Sequence, residues 1–223
     1  MKNKRTNNIT ELVFILDRSG SMSGLEDDTI GGYNSVLAKQ KKEAGEALVT
    51  TVLFDDQVEI LHDRVNIKEI SPISEQDYFV RGSTALLDAV GKTIKKIVRT
   101  ERQTSDDLRA DKVMFVIITD GMENASREYS FEKIKTMIEH EKEKYGWEFV
   151  FLGANIDAVS TASHIGIASD RSANYHSDKK GTRLNYEAIN SVVSELRMNH
   201  CVGEEWKAEI DEDFKTRGKG KKS

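Results

Sequence analysis

The amino-acid sequence predicts an α/β fold, with a mostly parallel, doubly wound sheet covered by helices on both faces. Three observations carry that expectation. Apolar runs such as Leu12–Leu16 and Lys112–Thr119 suit strands buried on both faces. Segments with apolar residues at helical spacing alternate with these runs. The link Asp55–Asp56–Gln57, between two successive strand-like runs, is too short for a parallel crossover and permits a hairpin. That one pair is expected to be antiparallel, with its later strand at an edge.

Taken in order, Leu12–Leu16 is the first strand, and Tyr33 to Glu46 carries helical spacing through Val36, Leu37, Gln40 and Ala44. Leu48–Phe54 and Val58–Val65 form the hairpin pair. A loop from Ser71 to Ser83 holds the only proline, Pro72. Ala85 to Val98 is strongly helical, with Leu86, Leu87, Val90, Ile94, Ile97 and Val98 on one side. The run KVMFVIIT, Lys112–Thr119, reads as the central strand. Phe131–Tyr145 is an amphipathic helix, Trp147–Leu152 a strand, and Val159–Ile165 and Tyr186–Met198 are helices. Trp206, Ile210 and Phe214 then recur every fourth residue, one apolar stripe expected to dock on the parent domain. The expected organisation is a flexible N-terminus (1–9), one domain (10–202), and a short amphipathic segment followed by a basic disordered tail (203–223).

Composition narrows the function classes. The 223 residues are 38% hydrophobic and 32% charged, which suits one domain with a well-solvated surface. A single cysteine, Cys201, excludes an intrachain disulfide framework and a cysteine-rich zinc site. No run approaches the roughly 18 apolar residues of a membrane span, and no signal peptide is recognisable. A cytoplasmic monomer is the expectation. The net charge of −5 conceals an uneven distribution: residues 1–9 carry +3 and residues 214–223 carry +5, leaving −13 on the body. An acidic body argues against general nucleic-acid binding.

In doubly wound sheets, ligands bind beyond the carboxyl ends of the strands where strand order reverses. After the first strand comes Asp17-Arg18-Ser19-Gly20-Ser21, and after KVMFVIIT comes Asp120-Gly121. Gly82-Ser83-Thr84 lies just ahead of a helix, with hydroxyls placed as N-caps. If the first and fourth strands are neighbours, Asp17 and Asp120 converge, with Ser19, Ser21 and Thr84 around them. An all-oxygen set without His or Cys suits a hard divalent cation, Mg²⁺ above all. With only two charged donors, such an ion keeps a position for water or an outside carboxylate.

The segments LVFILDRSGSM, GSTALLDAV and VMFVIITDGMEN together resemble the von Willebrand factor A domain and its metal-ion-dependent adhesion site. The resemblance covers roughly residues 10–200. Its five metal-site positions match Asp17, Ser19, Ser21, Thr84 and Asp120, with none lost. It implies a Rossmann-like α/β sandwich and binding of Mg²⁺, with Mn²⁺ or Ca²⁺ as alternatives. It further implies that the metal takes an Asp or Glu of a partner protein, without catalysis, and that Asp120 reaches the metal through water. FLGANIDAVSTASHIGI is similar to stand-alone A-domain proteins of bacteria and phages. In that segment Asn155 reads as a helix cap, and Asp157 as a candidate for the rim of a binding surface.

Other readings fare less well. Gly91-Lys92-Thr93 matches the end of a phosphate-binding loop, but Leu86 stands where that motif needs glycine. A Mg²⁺-dependent phosphotransferase with Asp17 as nucleophile lacks the second aspartate two positions on, where Ser19 stands. Its phosphate-neutralising lysine would have to be Lys179 or Lys180. A scaffold acting through the C-terminal segment is a third reading.

Overall fold

A computed structural model describes residues 8–199 and 201–218. Among these residues six strands form one sheet: β1 (Ile9–Asp17), β2 (Glu46–Phe54), β3 (Val58–Asn66), β4 (Lys112–Thr119), β5 (Glu148–Ala154) and β6 (Ser172–Tyr175). Their order is β3-β2-β1-β4-β5-β6. Every neighbouring pair is parallel except β2 with β3, which is antiparallel and puts β3 at the edge. Strand order therefore runs outward in both directions from the β1–β4 pair. That pair is the switch point, and its register sets Leu16 against Ile118.

Each β1 residue is buried. The strand's two-residue period sends its side chains alternately to two cores. Leu12, Phe14 and Leu16 face one core, and Val13 and Ile15 the other. The first core is closed by α1 (Glu26–Gln40) and α5 (Lys179–Asn199), the second by α2 (Leu86–Gln103), α3 (Phe131–Tyr145) and α4 (Ala158–His164). Close approach of α1 to α5 depends on Gly32, where a Cβ would lie 2.1 Å from the Tyr186 ring. Edge strand β3 is exposed or half-buried along its length and carries charges, which suits an unpaired edge.

Several elements differ from the sequence expectation. Helix α1 begins seven residues before Tyr33, and α5 seven before Tyr186. Each extension holds a single apolar residue, Ile30 or Leu184, too few for apolar spacing to register. Strand β6, Ser-Ala-Asn-Tyr, is too short for any periodicity and is not anticipated. The stripe Trp206, Ile210 and Phe214 does dock on the domain. Trp206 and Ile210 are buried, and the Trp206 Nε1–H donates to the Asp170 carbonyl at 3.0 Å. Residues 208–218 form a sixth helix, α6, so the basic stretch from Lys215 is helical through Gly218. Residues 219–223, and 1–7 of the expected flexible N-terminus, lie outside the described residues. Among the described residues, no helix is long and apolar enough to cross a membrane.

Candidate metal centre

Strand β1 ends at Asp17 and β4 ends at Thr119, side by side in the sheet. The chain turns at both exits, which brings the carboxylates of Asp17 and Asp120 near one another. Asp17 is completely buried. Its Oδ1 accepts the Ser19 N–H at 2.7 Å, and its Oδ2 accepts the Thr119 hydroxyl at 2.5 Å. The Ser19 and Ser21 hydroxyls are 3.1 Å apart, and the Thr84 hydroxyl donates to Ser19 Oγ at 2.9 Å. Asp120 is 2% exposed; its Oδ2 accepts a long hydrogen bond from Ser177 at 3.4 Å, and its Oδ1 is buried without a hydrogen-bond partner.

The electrostatics are unfavourable as they stand. Burial raises the Asp17 carboxyl to about 6 against the pull of the Thr119 and Ser19 hydrogen bonds, and the Asp120 charge adds to the rise. Burial also raises Asp120, opposed by the nearby Ser21 and Ser177 hydroxyls. Two carboxylates are held close in low dielectric with hydroxyl and amide donors alone.

A divalent cation fits this environment on three counts. Asp120 Oδ1 is an acceptor left unused. The donor set is entirely oxygen, as hard cations prefer. And Gly121 leaves a cradle: a Cβ there would lie 2.6 Å from Thr84 Oγ1, 2.8 Å from Ser21 Oγ and 3.5 Å from Ser19 Oγ. No group of three or more His, Cys, Asp or Glu capable of holding a metal occurs among the described residues. Any ion here would rest on the two carboxylates and three hydroxyls.

The expectation that Thr84 caps the following helix is not met. The α2 N-cap is Ala85, and no side chain of that position accepts a hydrogen bond. The 123–126 loop serves the α2 N-terminus instead. Glu123 Oε2 accepts the Leu87 N–H at 2.9 Å, Ser126 Oγ accepts the Asp88 N–H at 3.0 Å, and Asn124 Oδ1 accepts the Thr84 N–H at 3.0 Å. In return, Asp88 accepts the N–H groups of Arg127, Glu128 and Tyr129. Thr84 is thereby free to aim its hydroxyl at Ser19. Asn155 is a turn residue at φ +54 rather than a cap. Asp157 caps α4 by accepting the Ser160 N–H at 3.0 Å. Sequence reasoning missed Thr119, the Gly121 cradle and Ser177. A Thr closing a strand ahead of Asp-Gly was the available signal for the first two; Ser177 had none.

No family model and no curated protein sequence matches this chain. Solved structures do. A von Willebrand factor type A protein from Catenulispora acidiphila matches with a TM-score of 0.59 and 12% identity, over 83% of this chain and 42% of that one. Manganese-loaded TRAP protein of Plasmodium vivax matches with a TM-score of 0.55 and 14% identity, over 80% of this chain and 73% of that one. Proximal thread matrix protein 1 from the mussel byssus, solved with zinc in its metal-ion-dependent adhesion site, gives 0.57 and 13%, over 83% and 46%. The chain thus spans less than half of the first and third of these. The likeness is one of architecture, and this chain has the von Willebrand factor A fold.

Proposed function

We propose that this chain is a protein-binding module, not an enzyme, which holds Mg²⁺ at Asp17, Ser19, Ser21, Thr84 and Asp120 and uses it to take an Asp or Glu of a partner. Mn²⁺ and Ca²⁺ are the alternative ions. The observation that carries the reading is a pair of buried, uncompensated carboxylates at the strand switch point, beside three hydroxyls linked through Ser19.

A bound cation would supply the positive charge that attracts an outside carboxylate. The chain's own residues prepare that charge. Thr119 and the Ser19 N–H orient Asp17, and the hydroxyls of Ser19, Ser21 and Thr84 add donors without adding charge. A site of two carboxylates keeps more of the ion's charge available than one of three or four. The complete burial of Asp17, with both oxygens engaged, supports binding over a phosphotransferase in which that carboxylate must attack.

Titration of Mn²⁺ into the wild type and Asp120→Ala tests the site. Saturable binding by the wild type, weakened by about tenfold or more in the variant, is expected. Equal binding by both would overturn the assignment. Proteins retained on the immobilised chain only with divalent cation, and lost with Asp120→Ala, would identify the partner.

A further inference from the structure

The metal site proposed above draws its hydroxyls from two separate loops, and an ion is not the only thing that joins them. Arg18, between Asp17 and Ser19, is completely buried. Its Nε donates to Asp55 Oδ2 at 2.9 Å and its Nη2 to Glu59 Oε2 at 2.8 Å. From the other loop, Arg81 Nε donates to the same Asp55 Oδ2 at 2.6 Å. One buried carboxylate therefore bridges two guanidinium groups. The Phe79 ring adds a platform, with Arg18 Cζ 5.4 Å and Arg81 Cζ 5.3 Å from its centroid.

The backbone follows the same seam. The Arg81 N–H donates to the Arg18 carbonyl at 2.9 Å, the Gly20 N–H to the Gly82 carbonyl at 3.1 Å, and the Ala85 N–H to the Asp55 carbonyl at 2.8 Å. Tyr78 donates its hydroxyl proton to the Asp17 carbonyl at 2.6 Å. Thr84 sits between two of these anchors, Gly82 and Ala85.

We propose that Arg81 is a positioning residue for the metal centre: through Asp55 and Phe79 it clasps the 78–85 loop onto the 18–22 loop and keeps Thr84 in register with Ser19. The proposal rests on the metal reading above. Arg81 itself donates nothing to the ion. Its side chain is 41% exposed, while both partners of the Arg18–Asp55 pair beneath are fully buried.

Charge makes the test decisive. A guanidinium beside a cation site repels the cation, so by Coulomb's law alone its removal tightens metal binding. Loss of positioning weakens it. We therefore expect Arg81→Gln in the full chain to bind Mn²⁺ roughly tenfold more weakly than wild type, as followed by electron paramagnetic resonance of the free ion. Arg81→Lys, which keeps a charge on Asp55, is expected to recover most of that loss. Phe79→Ala, which changes no charge and removes a half-exposed ring, is expected to weaken binding in the same direction by a smaller factor. Urea unfolding without metal checks that each variant folds. Binding by Arg81→Gln and Phe79→Ala as tight as wild type, or tighter, would overturn the positioning role and leave the metal site standing. A wild type that binds no Mn²⁺ overturns both.

Discussion

Strand β1 buries a carboxylate near each end, and the two are treated differently. Glu11, two residues from the start, is completely buried, and burial raises it to about 7. It nonetheless has a resident cation: Arg64 Nε lies 3.0 Å from Oε2, and Thr50 donates to Oε1 at 3.0 Å. Arg64 in turn reaches Glu101 at 2.9 Å. Asp17, at the other end, is equally buried and is raised to about 6, but its partners are a hydroxyl and a backbone N–H, and the like charge of Asp120 adds to the rise. A carboxylate with a built-in guanidinium is a structural element. One that the fold leaves without a cation, beside another carboxylate, is in a state that a mobile cation relieves. The difference between the two ends of one strand is the physical argument for the site.

The largest expected effect breaks the compensated end. Arg64→Ala leaves Glu11 buried without its cation, which costs about 3–5 kcal/mol. The cost depends on pH with a definite sign. The folded-state pKa of Glu11 lies above its unfolded value, so the folded state holds more protons through the window from 4.5 to about 7. Stability from this group is fully present below 4.5 and is lost as pH rises through about 7, on the order of 3 kcal/mol in the wild type. Urea unfolding of the variant should therefore show a large loss at pH 8 and a much smaller one at pH 5. A loss that does not vary with pH would mean that Glu11 is not the group left exposed to the penalty.

The next effect fills the uncompensated end. Gly121→Ala places a methyl group within 2.6 Å of Thr84 Oγ1 and 2.8 Å of Ser21 Oγ, and real Cβ contacts are not that close. The hydroxyls of Thr84 and Ser21 must shift, which disturbs two of the five proposed ligands. Mn²⁺ affinity should fall by about a hundredfold, equivalent to roughly 2.7 kcal/mol. Binding within a fewfold of wild type would place the ion elsewhere.

How much of this could be read beforehand divides along the same line. The first five strands, their mostly parallel pairing, the antiparallel edge and the carboxylates at adjacent exits were legible, because buried strands and strand-end acids leave local patterns. The five oxygen-bearing residues lie in three short segments whose types speak for themselves. What was not legible depends on contacts between distant segments. Thr84 reads as a cap by position, yet the loop 40 residues on supplies the capping groups and frees it. Asp55 looks like an ordinary turn residue until Arg18 and Arg81 meet on one of its oxygens. Strand β6 is four residues long, below the length at which any period can register.

The smallest effect is also the sharpest comparison, because the molecule repeats one arrangement at both ends. Thr50 donates to Glu11 and accepts the Arg64 N–H at 3.2 Å; Thr119 donates to Asp17 and accepts the Gly121 N–H at 3.2 Å. Each is a completely buried β-branched strand residue, so Val replaces either with its shape kept. Each substitution removes one hydrogen bond to a buried carboxylate and should cost about 1.5 kcal/mol in metal-free urea unfolding. Their effects on Mn²⁺ binding should separate. Thr119→Val releases the Asp17 carboxylate to rotate and strips the Gly121 N–H of its acceptor, so affinity should fall roughly tenfold. Thr50→Val disturbs a carboxylate that already has its cation, far along the strand, and should leave affinity unchanged. Equal losses of affinity in the two variants would mean that general loosening of β1, rather than the orientation of Asp17, governs the site.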